Sequence, residues 1–295
     1  MPRHLRLGEL LLAIQGIAIG RTIFSGDDAD ITARIAEIGE TLAGLGSRDP
    51  EALERLGVTV TEHDARTGYR VWASSYDEGT NPLIDVEEAT LVGLLDRIEA
   101  GVAIDVGCGT GRVLRLLADR GHSVTGIDQS PEMLTLAGLR VPQATLVSAS
   151  VGTFDDGPAF AAVAGHTADL VTCALTLTHV EHLDEAIADI ARLLRPGGQA
   201  IITDMHPLAV LLDGQAVFNL DGGDSAFVRN HVHLHSDYLR AFDAAGLRVL
   251  ACREPVVTPG RGPLLGLGAQ VRPQAAEAAY LGLPYVLVWH LQRPC

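Results

Sequence analysis

Ala103-Ile104-Asp105-Val106-Gly107-Cys108-Gly109-Thr110-Gly111-Arg112 decides how this 295-residue chain is read. Val102, Ala103, Ile104 and Val106 suit a strand buried on both faces of a parallel sheet, and Val113, Leu114, Leu116 and Leu117 give the apolar stripe of a helix that follows. Three glycines at alternate positions lie between them. Glycine lets the backbone turn tightly and lets a ligand approach the main chain, and the first turn of a helix presents N–H groups with no partner inside the helix. The stretch reads as strand, cofactor loop and helix.

The glycine spacing narrows the ligand. A dinucleotide loop is usually spelled G-x-G-x-x-G. Here the third glycine comes one residue early, and Asp105 precedes Gly107 by two. A carboxylate just before the loop repels a pyrophosphate but accepts hydrogen bonds from an ammonium group, so the preferred ligand carries positive charge. Ser123-Val124-Thr125-Gly126-Ile127-Asp128 reads as a second strand whose terminal acid can accept bonds from both ribose hydroxyls. Ser130 caps the helix that Pro131 starts. Ala168 to Leu175 predicts a fourth strand, and Leu183 to Leu194 an amphipathic helix. Arg195-Pro196-Gly197-Gly198 stops that helix before the strand Gln199 to Asp204. Upstream lies Tyr69-Arg70-Val71-Trp72-Ala73-Ser74-Ser75-Tyr76-Asp77.

From about Tyr69 to Arg293 these segments together resemble the class I S-adenosylmethionine-dependent methyltransferases of the small-molecule type. The resemblance implies an α/β fold: a Rossmann-like seven-stranded sheet with the last strand antiparallel and helices on both faces, here with an added N-terminal helical region. It implies S-adenosylmethionine as methyl donor and S-adenosylhomocysteine as product. The implied cofactor residues are Asp105, Gly107, Gly109, Gly111, Asp128, Gln129 and Met133, with Ser150, Leu175, Thr176 and the aromatics Tyr69 and Tyr76. After the third strand the family often has an acid that binds the adenine amino group. This chain has Ser148-Ala149-Ser150 instead, so Ser150, a backbone carbonyl or Asp155 must substitute. Thr178 or His179 is expected near the transferred methyl group. If the acceptor is oxygen or a weakly acidic carbon a base is needed, and His179, His206 and His233 are candidates because imidazole titrates near neutral pH.

Residues 1–68 are expected to form a helical N-terminal region and 69–295 the methyltransferase domain. Helices are predicted at Leu5 to Ile19, Ala29 to Leu45 and Pro50 to Leu56. Ile31, Ile35, Ile38 and Leu42 make a helical stripe that the sheet domain or a second subunit must cover. The expectation is a cover over the active site that also builds a homodimer; packing on its own core is the other reading. Residues 208–234 look like an insertion that shapes the substrate pocket as a small hairpin or lid. The last two strands are predicted at Arg248 to Val257 and Tyr285 to Gln292.

Composition sets the remaining bounds. With 37 acids against 22 bases the net charge is −15, which opposes contact with phosphate backbones and argues against a nucleic-acid substrate. The apolar run Leu10 to Ile19 is shorter than the ~20 residues that span a bilayer, so neither a membrane anchor nor a signal peptide is expected. Cys108, Cys173, Cys252 and Cys295 are scattered, as in a reduced cytoplasm. His231-x-His233-x-His235 places three imidazoles on one face of an extended segment, but no local acid or cysteine completes a ligand set, and no metal is expected. The expected activity is methyl transfer by direct displacement to N, O or C of a small, apolar or aromatic metabolite, with a biosynthetic role in specialised metabolism. The alternative is a cofactor-binding protein of the same fold that catalyses a non-methylating cyclisation or serves in binding and regulation.

Overall fold

The computed structural model describes residues 3–23, 26, 28–45, 57–78, 81–152, 163, 168–212, 214–220, 224–259 and 273–295. The first half runs β1 (Arg3–Arg6), α1 (Leu7–Thr22), α2 (Asp28–Leu45), β2 (Gly57–His63), α3 (Ala65–Trp72), α4 (Pro82–Leu95), β3 (Val102–Val106), α5 (Arg112–Asp119), β4 (Ser123–Asp128), α6 (Pro131–Arg140) and β5 (Thr145–Ser148). The second half runs β6 (Ala168–Ala174), α7 (Leu183–Leu193), β7 (Leu194–Met205), α8 (Pro207–Leu211), β8 (Ala216–Asn219), β9 (Ser225–Val228), α9 (His235–Ala244), β10 (Arg248–Arg253), α10 (Pro273–Tyr280) and β11 (Val286–Gln292). The chain divides into two compact units.

The larger unit comprises His63–Ala216, Val228–Pro255 and Pro284–Cys295. Its seven strands lie in the order β10-β11-β7-β6-β3-β4-β5. β3 is parallel to β4 and β6, β4 to β5, and β6 to β7. β11 is antiparallel to both β7 and β10, so the last strand alone runs against the rest. This is the sheet the sequence predicts. β3 is apolar because it is interior to the sheet: Ala103, Ile104 and Val106 are almost wholly excluded from water, and Val171, Ile187, Ile202 and Leu287 share the core of Ile104 and Val106. β10 ends at Arg253, short of the predicted Val257, because Pro255 has no N–H to offer a ladder. The Arg195-Pro196-Gly197-Gly198 stop lies inside β7 as an irregularity, where the register against β6 shifts between Ala168 and Leu170.

The smaller unit gathers Met1–Glu62, Val217–Phe227 and Val256–Leu283. Helices alone were expected in the N-terminal part, but β1 pairs antiparallel with β2, and a four-stranded sheet forms in the order β1-β2-β9-β8. Val58-Thr59-Val60-Thr61 carries the period-two, β-branched signature of a strand, and its further partner comes from the hairpin of the 208–234 segment. On α1, Ile14 and Ala18 pack against Ala275, Ala276 and Ala279 of α10. Arg21 donates to the carbonyls of Ala279 and Leu281 at 2.8 and 2.6 Å, satisfying the C-terminal end of α10. Ile35 and Leu42 of the predicted stripe are more than half exposed. The helix predicted at Pro50 to Leu56 lies outside the described residues. Among the described residues no helix is long and apolar enough to cross a membrane.

Candidate active site

The loop between β3 and α5 owes its shape to glycine. Gly107 has φ +67°, and a Cβ there would stand 2.3 Å from Thr176 Oγ1. Gly111 has φ +85° and opens α5, with the Cα of Ala137 3.1 Å from where a Cβ would be. Side chains are strained at such φ values whatever the space. The loop is tied to β4: Cys108 N–H donates to the Ile127 carbonyl at 2.9 Å, and Gly109 N–H to Asp128 Oδ2 at 2.9 Å. Asp128 Oδ1 accepts from Ser130 N–H at 2.8 Å. Burial raises the Asp128 carboxyl, and these amide bonds oppose the rise.

A cavity of about 350 Å³ opens beside the loop. Gly107, Gly109, Asp128, Gln129, Met133 and Ser150 line one part of it, and Leu175, Thr176, Tyr69, Tyr76 and His179 another. Leu175 has φ +53°, rare for a side-chain-bearing residue, and strained backbone of this kind gathers at functional sites. Its N–H is held by the Thr203 carbonyl at 2.8 Å. Ala149 lines the cavity where the family's acid is often found, next to Ser150, whose Oγ is 3.5 Å from Gln129 Oε1. Asp189 on α7 accepts from Gly152 N–H at 2.8 Å and so fixes that loop.

Tyr69 and His179 form a pair across the cavity wall, with Tyr69 Oη 2.7 Å from His179 Nε2. His179 Nδ1 lies 3.2 Å from the Arg229 carbonyl, which can only accept, so Nδ1 carries the proton and Nε2 accepts from Tyr69. Burial pushes the imidazole down to about 4 and the phenol well above its ordinary value. Tyr69 also stacks on Trp72, with Tyr76 packed against both.

Thr178, Gly111, Asp105, His206 and His233, all singled out in the sequence, stand apart from the cavity lining. Gly111 supports α5. Asp105 is 2% exposed in β3 beside its register partner Thr172, whose Oγ1 donates to it at 2.6 Å; burial pushes its carboxyl up to about 7. His206 accepts from Leu208 N–H through Nδ1 and meets Glu254 through Nε2. His233 Nε2 donates to the Val180 carbonyl at 2.7 Å, fastening the segment that carries His179.

Other site residues gave no local signal. Asp204, at the end of β7, accepts from Tyr238 Oη at 2.7 Å, from Met205 N–H at 2.9 Å and from Thr178 N–H. Asp204 thereby anchors the turn that bears His179, and burial pushes its carboxyl up to about 7. Glu87 of α4 is fully buried against Arg112 at 2.6 Å, and Thr203 donates to it as well. Apart from the Met205 amide, each contact joins residues far apart in the chain.

Residues 104–202 match the family model described as a methyltransferase domain. The seven-stranded sheet with its reversed last strand, the glycine loop at the end of β3 and this match agree. Residues 104–202 are a methyltransferase domain, carried on the class I methyltransferase fold. A curated relative, the ubiquinone biosynthesis O-methyltransferase of Psychrobacter arcticus, is 29% identical over 167 residues, 54% of this chain and 64% of the relative. The protein of the same name from Stutzerimonas stutzeri is 36% identical over 104 residues, 35% of this chain and 44% of the relative. The chain thus spans less than two thirds of the length of these curated relatives. Among solved structures, an S-adenosylmethionine dependent methyltransferase from Mesorhizobium loti superposes with a TM-score of 0.52 at 20% identity, over 70% of this chain and 98% of that one. This methyltransferase fold is therefore recognisable well beyond sequence identity.

Proposed function

We propose that the cavity binds S-adenosylmethionine and that the chain transfers its methyl group to a small molecule seated against Tyr69 and His179. Asp128 carries the reading. Its two oxygens take the backbone amides of Gly109, Gln129 and Ser130 and keep acceptor capacity for a ribose hydroxyl, in the wall of a cavity bordered by glycine backbone. A Cβ added at Gly109 would meet no atom within 4 Å, so the loop leaves room where a ligand would lie. Gln129, Met133 and Ser150 take the adenine side, and Leu175 and Thr176 border the sulfonium side.

The cofactor supplies a methyl group already activated by its sulfonium. The protein's task is then to hold the nucleophile in line with the carbon–sulfur bond and keep water out. Tyr69 offers its oxygen lone pairs to an acceptor X–H while its own proton is held by His179 Nε2, so the pair fixes the phenol and orients the acceptor. An imidazole near 4 is neutral throughout the physiological range, so Nε2 stays available as a hydrogen-bond acceptor for Tyr69 while being a weak base. A hydroxylated aromatic acceptor is supported by the aromatic wall of Tyr69, Trp72 and Tyr76 and by the O-methyltransferase names of the relatives. A biosynthetic role accords with such an acceptor. The exposed Ile35 and Leu42 support a homodimer through the N-terminal helices.

The test is a calorimetric titration with S-adenosylhomocysteine, repeated with NADH and with Asp128→Ala. Micromolar binding of S-adenosylhomocysteine alone, lost in the variant, is the expected result. Absence of binding by the unmodified chain would overturn the proposal.

A further inference from the structure

We infer that His206, His235 and Glu254 form a binding site for a divalent transition-metal ion, zinc above all. The three side chains come from segments remote in sequence that the fold brings together: His206 follows β7, Glu254 follows β10, and His235 opens α9. β11 lies between β7 and β10 in the sheet, so two of the ligands stand on either side of it. Both imidazoles aim Nε2 at the same carboxylate atom. Glu254 Oε1 is 3.0 Å from His206 Nε2 and 2.9 Å from His235 Nε2, and the three ligand atoms all lie within 4.8 Å of one another.

A tetrahedral ion with bonds of ~2.0–2.1 Å holds adjacent ligand atoms about 3.3 Å apart, so entry of the ion needs small opening of the two His–Glu contacts. Two imidazoles and one carboxylate are the donors that suit zinc; magnesium and calcium prefer an all-oxygen set. Glu254 brings one negative charge, held ionised by its two imidazole neighbours. His206 is buried, His235 intermediate and Glu254 exposed, which fixes one ligand firmly and leaves the outer face open for water to complete the coordination. Coordination through Nε2 moves the His206 proton to Nδ1, which now accepts from Leu208 N–H at 3.2 Å. Metal binding is thereby coupled to release of the Leu208 amide at the start of α8.

The experiment uses the full chain after chelator treatment, titrated calorimetrically with zinc chloride and, separately, with cobalt(II) read by its visible absorption. One equivalent should bind in the micromolar range with a tetrahedral cobalt spectrum, and Leu208 amide exchange should accelerate. His235→Ala and Glu254→Gln, both at accessible positions, should each weaken binding at least tenfold while circular dichroism stays unchanged. Cys252→Ser with Cys295→Ser should leave it intact, which separates this site from adventitious thiol binding. Absence of binding, equal affinity in the His235 and Glu254 variants, or loss in the cysteine variant would overturn the assignment.

Discussion

Gly107 and Gly109 both have left-handed backbone, yet alanine at the two positions should fail in opposite ways. At Gly107 the new Cβ meets the Thr176 side chain at 2.3, 2.5 and 2.9 Å. The left-handed conformation costs roughly 1–2 kcal/mol for an L side chain, and forced overpacking roughly 1–3 kcal/mol more, so Gly107→Ala should lose about 2–5 kcal/mol. For a domain of this size that lowers Tm by roughly 4–20 °C. At Gly109, with φ +51°, the Cβ meets nothing within 4 Å, so the loss should be confined to about 1–2 kcal/mol. The Gly109 methyl, however, occupies ligand space, and S-adenosylhomocysteine affinity should fall at least tenfold in a protein that still melts cooperatively. Combining Gly107→Ala with Thr176→Gly should remove the collision and return the Gly107 penalty to the conformational part alone. Differential scanning calorimetry supplies the stabilities and isothermal titration the affinities. Equal stabilities for the two alanine variants, or undiminished cofactor affinity in Gly109→Ala, would refute this account of the loop.

Tyr69→Phe should leave His179 Nε2 buried without a donor, costing about 1–3 kcal/mol in stability. It should lower kcat by at least tenfold with little change in cofactor affinity; an unchanged kcat would remove the pair from catalysis. The pH profile of kcat should show no acid limb near 6.5, because burial holds His179 near 4; a limb at 6.5 that vanishes in His179→Asn would contradict the assigned tautomer and burial. Asp204 should make the folded state less stable as pH rises. Its carboxyl titrates near 7 when folded and near 3.8 when unfolded, so the native state holds a proton that the unfolded state has released, and stability falls between those values. Urea melts of Asp204→Asn should flatten that slope by up to about 1.4 kcal/mol per pH unit, and an unaltered slope would place the titration elsewhere.

The strand, loop and helix around Gly107 were legible because their signals are local: an apolar run, glycines at fixed spacing and a periodic stripe within a few dozen residues. Asp128 was legible for the same reason, as the last residue of β4. The four-stranded sheet was not. β2 carries the alternation of a strand in Val58 to Thr61, but its partners include β9, more than 160 residues away, and nothing in a single strand names its neighbour. The Tyr69–His179 pair lay between these cases. Both residues were singled out, each for its own motif, while their contact and the Arg229 carbonyl that sets the tautomer emerge only from tertiary packing. Asp189, Asp204 and Glu87 are helix or strand residues whose polarity looks ordinary until burial gives it a cost.

That cost gives the cofactor site a measurable electrostatic signature. Asp105 sits near 7 and Asp128 is raised above its ordinary value, both chiefly by burial. Without a ligand the site therefore retains part of a proton at neutral pH. S-adenosylmethionine brings an ammonium and a sulfonium, and positive charge arriving in the cavity must lower Asp128 in its wall and Asp105, buried in β3 two residues before Gly107. Binding should then expel protons: about half a proton at pH 7 from Asp105, whose carboxyl titrates at about 7. Titrations at pH 7 in buffers of different ionisation enthalpy read this release as a slope of observed heat against buffer heat. The slope should shrink in Asp105→Asn, which keeps the bond from Thr172 but has no proton to lose, and it should be smaller at pH 8.5, where Asp105 is already ionised. A slope of zero in the unmodified chain would mean that the positive end of the ligand lies far from Asp105, and the ligand's orientation in the cavity would have to be reversed.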